Sequence, residues 1–369
     1  MSHNASMPPV PRVFGLDLLR ALAIVLVMIA HSRPNALYGK PLGDYIDGLG
    51  APGVEIFFAL SGFLIGGILL RELAEPAAAG LPDIVRFWKR RWFRTLPNYY
   101  LFLGVHIVLA LGRHDSSLTA AAVLPHLFFV QNLLAAPPGF FFGSWTLAIE
   151  EWSYLLLPPL LWIGRRLGIP GPRAALAGLA ILLVGSVGFR LATHADLAWS
   201  HDVQKAVLRR LDALLFGVAA AWLARYRPAV WSRLGFLALP GALGLATLAA
   251  LGVRWGDFSD APGWVRVLYP TGLGICCASL LPWASRITAG ESAPARAVRF
   301  VSLVSYSLYL SHVPLRIALY QVCFMRLHLP TNWGGEAVFQ IVCWSSYRAF
   351  AGAVYRWFEK PVMDLRDRA

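Results

Sequence analysis

Charged residues are scarce in this sequence. Aspartate, glutamate, lysine and arginine make up 14% of the 369 residues, whereas about a quarter is usual in a soluble domain. Hydrophobic residues make up 57%. This composition excludes an ordinary soluble enzyme and leaves no room for a separate soluble domain. Apolar runs of about 20 residues recur instead, each long enough for a membrane helix, which predicts an all-α, polytopic integral membrane protein.

Cysteine is also scarce, and acidic residues are outnumbered by basic ones. The four cysteines lie in or at the edges of apolar segments, without the spacing of a disulfide framework or a zinc site. We therefore expect them to pack, and we expect no metal centre. The formal net charge is +13, but the cations lie in short loops between apolar runs. That pattern is typical of membrane orientation and does not indicate nucleic-acid binding.

The apolar runs predict about ten transmembrane helices. We place them near residues 14–31, 50–70, 95–112, 145–164, 174–193, 207–224, 234–252, 265–284, 300–321 and 335–358. Cations concentrate in alternate connecting segments, which predicts that both termini are cytoplasmic. The apolar stretch 120–142 is interrupted by prolines and polar residues and is predicted to be interfacial or re-entrant. The expected division is a disordered tail over 1–13, a transmembrane domain over 14–358 and a cytoplasmic tail over 359–369.

The first apolar run carries three ionisable groups, which are costly inside a membrane and indicate function. They are Asp17, Arg20 and His31. On a helix, Arg20 and His31 differ in direction by only about 20° and lie about 16 Å apart along the axis. His31 is a candidate general base because its imidazole titrates near neutral pH, although packing is the plain alternative. Asp17 lies one turn before Arg20 and is expected to pair with it.

A basic segment on the predicted inner side precedes the third span. Its cations, interleaved with aromatic residues, are Lys89, Arg90, Arg91 and Arg94. Arginine forks suit phosphate oxygens, which predicts a site for a phosphate-rich ligand such as coenzyme A or a nucleotide. The alternative is an ordinary positive-inside loop with an aromatic belt.

Further charged groups are predicted near the outer side. Glu150 and Glu151 are adjacent and point about 100° apart on a helix, so at most one of them faces a given site. Either is a candidate to orient His31 or to bind an acceptor hydroxyl, or simply to mark a helix start. Glu55, Arg210 and Asp212 are candidates for substrate binding, or for an ion-pair cluster.

Seven segments, in order, together resemble the acyltransferase-3 family of membrane-bound acyltransferases, whose members modify O-antigen, exopolysaccharide, Nod factors and macrolides. The segments are LDLLRALA with His31 eleven residues after Arg20, GVEIFFALSGFLI, RFWKRRWFRTLP, SWTLAIEEWSYLLLPPLL, RRLDALLFGVAAAWL, SYSLYLSHVPL and YRWFEKPVMDL. The resemblance implies a ten-helix domain in a bacterial inner membrane. It also implies transfer of an acyl group, expected to be acetyl, from cytosolic acyl-CoA to a hydroxyl of a saccharide, lipid-linked glycan or macrolide-type acceptor. Acyl-CoA is the donor substrate, and no cofactor is permanently bound.

Carried over by position, the family's arginine and histidine pattern falls on Arg20 and His31, and its late glutamate falls on Glu359. The resemblance thus favours Glu359 as the partner of His31, although the predicted topology puts Glu359 at the inner end of the last span. Glu150 and Glu151 remain alternatives. The chain departs from the family at Trp152–Ser153, where Gln–Phe is common; we expect this to alter the wall near the acceptor.

The sequence therefore predicts an acyl-CoA-dependent O-acyltransferase. Arg20 and the inner cations hold the donor, and His31 either removes the proton from the acceptor hydroxyl or carries the acyl group itself. The alternative is a transporter or flippase of an anionic or saccharide lipid, because buried charges suit that function equally well. Against it, the sequence shows no internal repeat and no inverted pair of broken helices. A membrane scaffold would not need so many buried ionisable groups.

Overall fold

A computed structural model of the chain describes residues 12–34, 37, 39–75, 80–135, 139–193, 203–256, 258 and 260–366. Helices dominate these residues, and none of them lies in a β-strand. The predicted all-α class is therefore confirmed. The disordered tail predicted for residues 1–13 falls almost wholly outside the described part of the chain.

The helices differ widely in length. Their bounds are α1 Phe14–Ala30, α2 Pro41–Gly48, α3 Gly50–Leu69, α4 Leu81–Gly112, α5 Ala120–Leu127, α6 Ser144–Arg166, α7 Gly171–Thr193, α8 Leu215–Tyr226, α9 Pro228–Trp231, α10 Ala238–Trp255, α11 Gly263–Ser279, α12 Leu281–Ala284, α13 Ala293–Tyr320, α14 Trp333–Val354 and α15 Lys360–Arg366. Turns of π-helix follow α3, α13 and α14, at Leu70–Ala74, Gln321–Arg326 and Tyr355–Glu359. Short 3₁₀ turns lie at Gly139–Phe141, Val207–Arg209 and Leu234–Leu237.

Several of these helices can cross a membrane. Five helical segments of the described chain are long and apolar enough: Pro41–Ala74, Leu81–Gly112, Gly171–Thr193, Leu234–Trp255 and Gly263–Ala284. The other predicted spans also coincide wholly or partly with helices, namely α1, α6, α8, α13 and α14. The predicted membrane character is confirmed, while the number of ten spans and the orientation of the termini stay predictions.

The basic segment is part of a helix, where the sequence predicted a loop. Helix α4 runs through it without a break and contains Pro97 in its interior. Proline removes one backbone hydrogen bond but is tolerated in membrane proteins where neighbouring groups satisfy the freed carbonyl. The helix gives the segment two faces, because residues three and four apart lie on one side. Phe87, Thr95 and Asn98 are buried on the inward side, whereas Lys89 and Arg90 are exposed.

The interrupted apolar stretch forms a short helix followed by an irregular segment. Helix α5 has eight residues, a length of about 12 Å, which is too short to cross a bilayer. The Asn132 side chain ties the irregular segment inward by donating to the backbone oxygens of Trp145 at 3.1 Å and Lys205 at 2.7 Å. The N–H of Val207 returns a bond to the Asn132 carbonyl at 2.8 Å. These hydrogen bonds of Asn132 hold the irregular segment in a fixed position at the outer end of the bundle.

Helix α3 lies at the centre and packs against α1, α8 and α11. Its closest approach to the chain at the start of α8 is at Gly62, where an added Cβ would lie 2.1 Å from the Leu214 carbonyl oxygen. Only glycine allows two backbones to come this close, as in small-residue contacts between membrane helices. Helix α13 packs against the other side of α1. The polar groups of α1, α3 and α13 are thereby brought to one central region.

Candidate active site

Two cavities meet near the centre of the bundle. The outer cavity has a volume of about 850 Å³ and contains His31 in its wall. The inner cavity has a volume of about 110 Å³ and is lined by arginines. We name them outer and inner after the predicted orientation. Val54 and Tyr309 line both cavities, so a single layer of side chains separates the two.

His31 lies at the outer end of α1 and forms a hydrogen bond with a second histidine. Its Nδ1 lies 3.0 Å from Nε2 of His312 on α13. The Nδ1 of His312 lies 3.0 Å from the Leu308 carbonyl oxygen, and a carbonyl can only accept. His312 Nδ1 must therefore carry a proton, which makes its Nε2 the acceptor for His31 Nδ1–H when both rings are neutral. This leaves His31 Nε2 with a free lone pair, the arrangement that a general base requires.

Aromatic and cationic groups surround this histidine pair. The Phe142 ring packs edge-on against His31 with the centroids 5.9 Å apart. The Lys205 ammonium lies 4.6 Å from the centroid of the same phenylalanine ring, and burial lowers the pKa of Lys205. Tyr309 flanks His312 with the ring centroids 6.0 Å apart. The reacting end of His31 thus opens into a cavity with apolar walls and three cations, Arg33, Lys205 and Arg316.

The inner cavity collects side chains from five helices. Arg20 comes from α1, Arg91 and Arg94 from α4, and Glu150 from α6; α3 and α13 supply apolar and hydroxyl groups. The Arg91 guanidinium lies 4.3 Å from the centroid of the Tyr154 ring, a favourable cation–π contact. Three guanidinium groups face one carboxylate here, so the cavity has an excess of positive charge. It is suited to a phosphate-bearing ligand entering from the inner side.

The other two predicted donor-binding cations lie elsewhere on α4. Lys89 and Arg90 are exposed, and Arg90 Nη1 forms an ion pair with Glu72 Oε1 at 3.0 Å. Neither residue lines the inner cavity as the described residues define it. The helix therefore divides the basic segment into a pair that lines the inner cavity, Arg91 and the exposed Arg94, and a pair that does not, Lys89 and Arg90.

The adjacent glutamates lie deeper than the sequence suggested. Helix α6 begins at Ser144 beside the wall between the cavities, and Glu150 is six residues further along, a distance of about 9 Å. Glu150 consequently lines the inner cavity with the arginines and not the outer cavity with His31. Glu151 is buried on a neighbouring face of the helix, with 8% of its surface exposed. The expected position of Glu150 and Glu151 near His31 is wrong. The first residues of α6 lie at the wall between the cavities, and the two glutamates lie further along the helix, beside the arginines.

Glu359 is held at a distance from His31. Its carboxylate accepts hydrogen bonds from Asn98 Nδ2 at 2.9 Å and from the Ser307 hydroxyl. Ser307 lies five residues before His312 on α13, about 7.5 Å along the axis. Among the described residues, the His31 ring forms a side-chain hydrogen bond with His312 and none with Glu359. Glu359 instead links α4, α13 and the π-turn after α14 at the inner end of the bundle.

Glu55, Arg210 and Asp212 form a buried ion-pair cluster with Arg190. Asp212 receives two hydrogen bonds from the Arg190 guanidinium, at 2.9 and 2.8 Å, and Arg210 pairs with Glu55. All four side chains are at most 1% exposed, and none of them lines either cavity within the described part of the chain. The geometry favours the ion-pair reading of this set; contact with substrate stays a prediction.

Two smaller expectations are also changed by the geometry. Asp17 accepts hydrogen bonds from Arg12 at 2.8 Å and Ser302 at 2.6 Å, so its hydrogen-bond partners among the described residues are these and not Arg20. Arg20 instead faces the inner cavity. Trp152 donates to the Phe129 carbonyl at 2.9 Å and lines neither cavity as described. The Trp152 side chain therefore supports the irregular segment after α5 and does not line the wall near His31.

The wall between the cavities is built around Tyr309. Its hydroxyl donates to the Gly143 carbonyl at 3.0 Å and lies 2.7 Å from the Thr146 hydroxyl. Phe57 packs against the ring edge-on with the centroids 6.3 Å apart. Sequence reasoning missed this residue, together with Lys205 and Arg316. The SYSLYLSHVPL segment gave no signal for Tyr309, since tyrosines three residues apart on an apolar helix are ordinary in a core.

The fold and the two cavities define a polytopic helical membrane protein in which a cation-lined cavity and a histidine-lined cavity share one wall. The chain belongs to the acyltransferase-3 family: the sequence profile of that family, described as an acyltransferase domain, matches residues 13–344. The resemblance to the family is thus confirmed, and six of the seven segments lie within the matched range.

Two curated relatives are named as acetyltransferases. The chain is similar to YrhL of Bacillus subtilis, which bears the name of a peptidoglycan O-acetyltransferase, with 35% identity over 183 residues; these are 46% of this chain and 26% of the relative. It is similar to the O-acetyltransferase OatA of Staphylococcus aureus with 28% identity over 223 residues, or 57% of this chain and 34% of the relative. The matched region thus spans about a quarter to a third of each relative's length. No solved structure matches the chain significantly.

Proposed function

We propose that this protein is a membrane O-acyltransferase that moves an acetyl group from cytosolic acyl-CoA to a hydroxyl of a glycan acceptor. The observation that carries the proposal is the shared wall: a cavity rich in arginine lies directly behind a cavity with an unencumbered imidazole nitrogen. A transfer enzyme needs such a pair of sites when an anionic donor and a neutral hydroxyl arrive from different sides. The names of the relatives support a saccharide of the peptidoglycan type as the acceptor.

In this proposal, Arg91 and Arg94 bind the phosphates of coenzyme A at the inner end. The pantetheine arm extends past Arg20 toward Tyr309, along the axis of α1, over which Arg20 and His31 are about 16 Å apart. The relatives named as O-acetyltransferases support acetyl as the acyl group.

The chemistry of the proposal centres on His31 Nε2. This nitrogen takes the proton of the acceptor hydroxyl as the oxygen attacks the thioester carbonyl carbon. The carbon–sulfur bond then breaks, the acyl group stays on the acceptor oxygen, and the coenzyme A thiolate takes up the proton. His312 accepts the Nδ1–H of His31 throughout, so the ring keeps one orientation. General base catalysis of this kind contributes about 10²–10⁴-fold.

The experiment uses purified protein in proteoliposomes with acetyl-CoA and peptidoglycan-derived glycans. Release of the free thiol and the acetyl mass on the glycan are measured together. His31→Ala is expected to abolish transfer while acetyl-CoA binding persists. His114→Ala is the matched control, because His114 is an exposed histidine in the turn after α4, and it should transfer at the wild-type rate. Full transfer by His31→Ala, or movement of a lipid without thiol release, would overturn the proposal.

A further inference from the structure

Besides Arg33, which pairs with Asp47, the outer cavity contains two cations that lie on separate elements and flank the histidine pair. Lys205 lies in the segment between α7 and α8, and Arg316 lies on α13 four residues after His312. Residues four apart share one face of a helix, so Arg316 extends the same surface that presents His312. Both residues line the cavity, and Lys205 is only 9% exposed.

Neither cation has a carboxylate partner among the described residues. The described contact of the Lys205 ammonium is with the face of Phe142, at 4.6 Å. Arg316 uses Nη2 to donate to the Arg33 carbonyl at 3.2 Å, and its Nη1 is buried with no hydrogen-bond partner in the described chain. Buried cations are normally paired. These two are therefore poised to receive an anion.

The acidic residues of the same cavity do not supply that anion. Asp44 and Asp47 line it from α2, at the mouth, and both are exposed. Asp47 already pairs with Arg33, and Asp44 makes no ion pair within the described residues. The deep part of the cavity near His31 is thus positive, and the negative groups lie at its rim.

The remaining lining suits a sugar. Phe142, Trp145, Phe258 and Tyr269 contribute aromatic surface, and Gln204 contributes an amide. The volume of about 850 Å³ lies within the roughly 300–1,000 Å³ typical of small-ligand sites. Lys205 and His31 contact the same Phe142 ring. An anion held by Lys205 would therefore hold a neighbouring part of the same ligand close to the His31 base.

We propose that the acceptor is an anionic glycan, and that Lys205 and Arg316 bind its carboxylate or phosphate while His31 addresses a nearby hydroxyl. The inference rests on the proposed function for the identity of the reaction, but the binding site stands by itself. A pair of cations at this site both orients the hydroxyl and selects against neutral glycans. Their other possible role, stabilising the oxyanion of the reacting thioester, would affect every acceptor equally.

The test measures binding and transfer by the full chain in detergent or proteoliposomes. Three probes are used: a disaccharide bearing a lactyl carboxylate, the same disaccharide with that carboxylate converted to its amide, and a phosphate ester in the same position. Lys205→Met and Arg316→Met remove the charges at similar volume, and Lys205→Arg keeps one. Lys40→Met is the matched control, because Lys40 is an exposed lysine near the same end of the bundle that does not line the cavity.

Calorimetric binding decides the site whether or not transfer is seen. We expect the wild type to bind the carboxylate or the phosphate probe at least about tenfold more tightly than the amide. A difference of this size corresponds to the loss of one charged hydrogen bond. Lys205→Met and Arg316→Met should remove that preference without weakening acetyl-CoA binding. Lys205→Arg should restore it, and Lys40→Met should not alter it.

The transfer assay separates the two roles of the cations. For an acceptor site, the variants raise KM for the charged disaccharide and leave the amide unchanged. Equal affinity of the wild type for charged and neutral probes would overturn the proposal, and so would an equal loss of kcat with both acceptors. Absence of transfer to any probe by the wild type, with the binding preference intact, would refute the proposed function and leave the anion site standing.

Discussion

At the scale of single residues, the position of the proton shared by His31 and His312 determines which nitrogen of His31 can act as a base. The Leu308 carbonyl fixes the tautomer of His312, and His312 in turn fixes that of His31. A neutral imidazole here replaces the carboxylate that commonly orients a catalytic histidine. A carboxylate at this position would be attracted by Lys205 and Arg316 in the same cavity. A neutral partner leaves those cations available for a ligand.

The hydrogen bond between His31 and His312 predicts that two substitutions of His312, by leucine and by glutamine, lower the rate to different extents. His312→Leu removes the acceptor for His31 Nδ1–H, so the ring can turn and present the wrong nitrogen. We expect kcat to fall by about 10²-fold with the KM for acetyl-CoA unchanged. His312→Gln can place an amide oxygen near the same point and should recover part of the rate. The measurement is kcat against pH, since loss of the acceptor that stabilises protonated His31 moves the acidic limb of the profile, whereas a packing defect does not. Equal losses in both variants, with an unchanged profile, would contradict the pairing.

Sequence periodicity was sufficient to place Arg20 and His31 on one helix but insufficient to find their partners. His31 and His312 are 281 residues apart, and their contact depends on how α1 packs against α13. Glu359 was favoured by resemblance, yet Asn98 and Ser307 hold it at the inner end. Such contacts follow from the packing of distant helices, which no local pattern encodes.

At the scale of helices, α4 shows why the basic segment was only partly predictable. Its composition indicated phosphate binding, but four neighbouring cations cannot all face one cavity. Helical geometry places Arg91 and the exposed Arg94 in the lining of the inner cavity, whereas Lys89 and Arg90 are exposed away from it. The sequence predicted a loop here, whereas helix α4 runs through the whole segment. This helical geometry is what separates the two pairs.

The contact of α3 with α8 predicts a difference between two glycines of one helix. An added methyl group at Gly62 would lie 2.1 Å from the Leu214 carbonyl oxygen, whereas nothing lies within 4 Å of the same position at Gly67. Gly62→Ala should therefore lower stability by about 1–3 kcal/mol through overpacking, and it should displace the wall of the inner cavity at Ser61. Gly67→Ala is the control and should be neutral or slightly stabilising, because alanine favours helix.

Thermal unfolding in detergent, followed by retention of the monodisperse peak, measures both glycine variants under one condition. A lower midpoint for Gly62→Ala alone is the expected result. Similar midpoints for the two variants would show that α3 and α8 can separate without cost. In that case the close approach would not fix the position of the cavity wall.

At the scale of the whole molecule, the two cavities have different electrostatic character and lie back to back. The inner one combines three arginines with Glu150, and the outer one combines the histidine pair with Lys205 and Arg316. Anionic groups are thus favoured at both ends, and an apolar and hydroxyl-bearing wall lies between them. A fold with one open pore would let the cytosolic ligand and protons leak through the membrane. The wall at Tyr309 keeps the two compartments distinct.

The wall predicts that Tyr309→Ala uncouples donor consumption from transfer. Removing the ring joins the two cavities, so that water from the outer cavity reaches the thioester beside His31. Hydrolysis of acetyl-CoA without an acceptor should then rise by about tenfold or more, while transfer to the glycan falls, since exclusion of water is lost. Tyr309→Phe keeps the ring but loses the hydrogen bonds to Gly143 and Thr146, and it should leak much less. Thiol release and glycan acetylation are measured in parallel in proteoliposomes. If Tyr309→Ala hydrolyses no more acetyl-CoA than the wild type does, then Tyr309 is not the barrier, and the acyl group must reach His31 by a path that avoids this side chain.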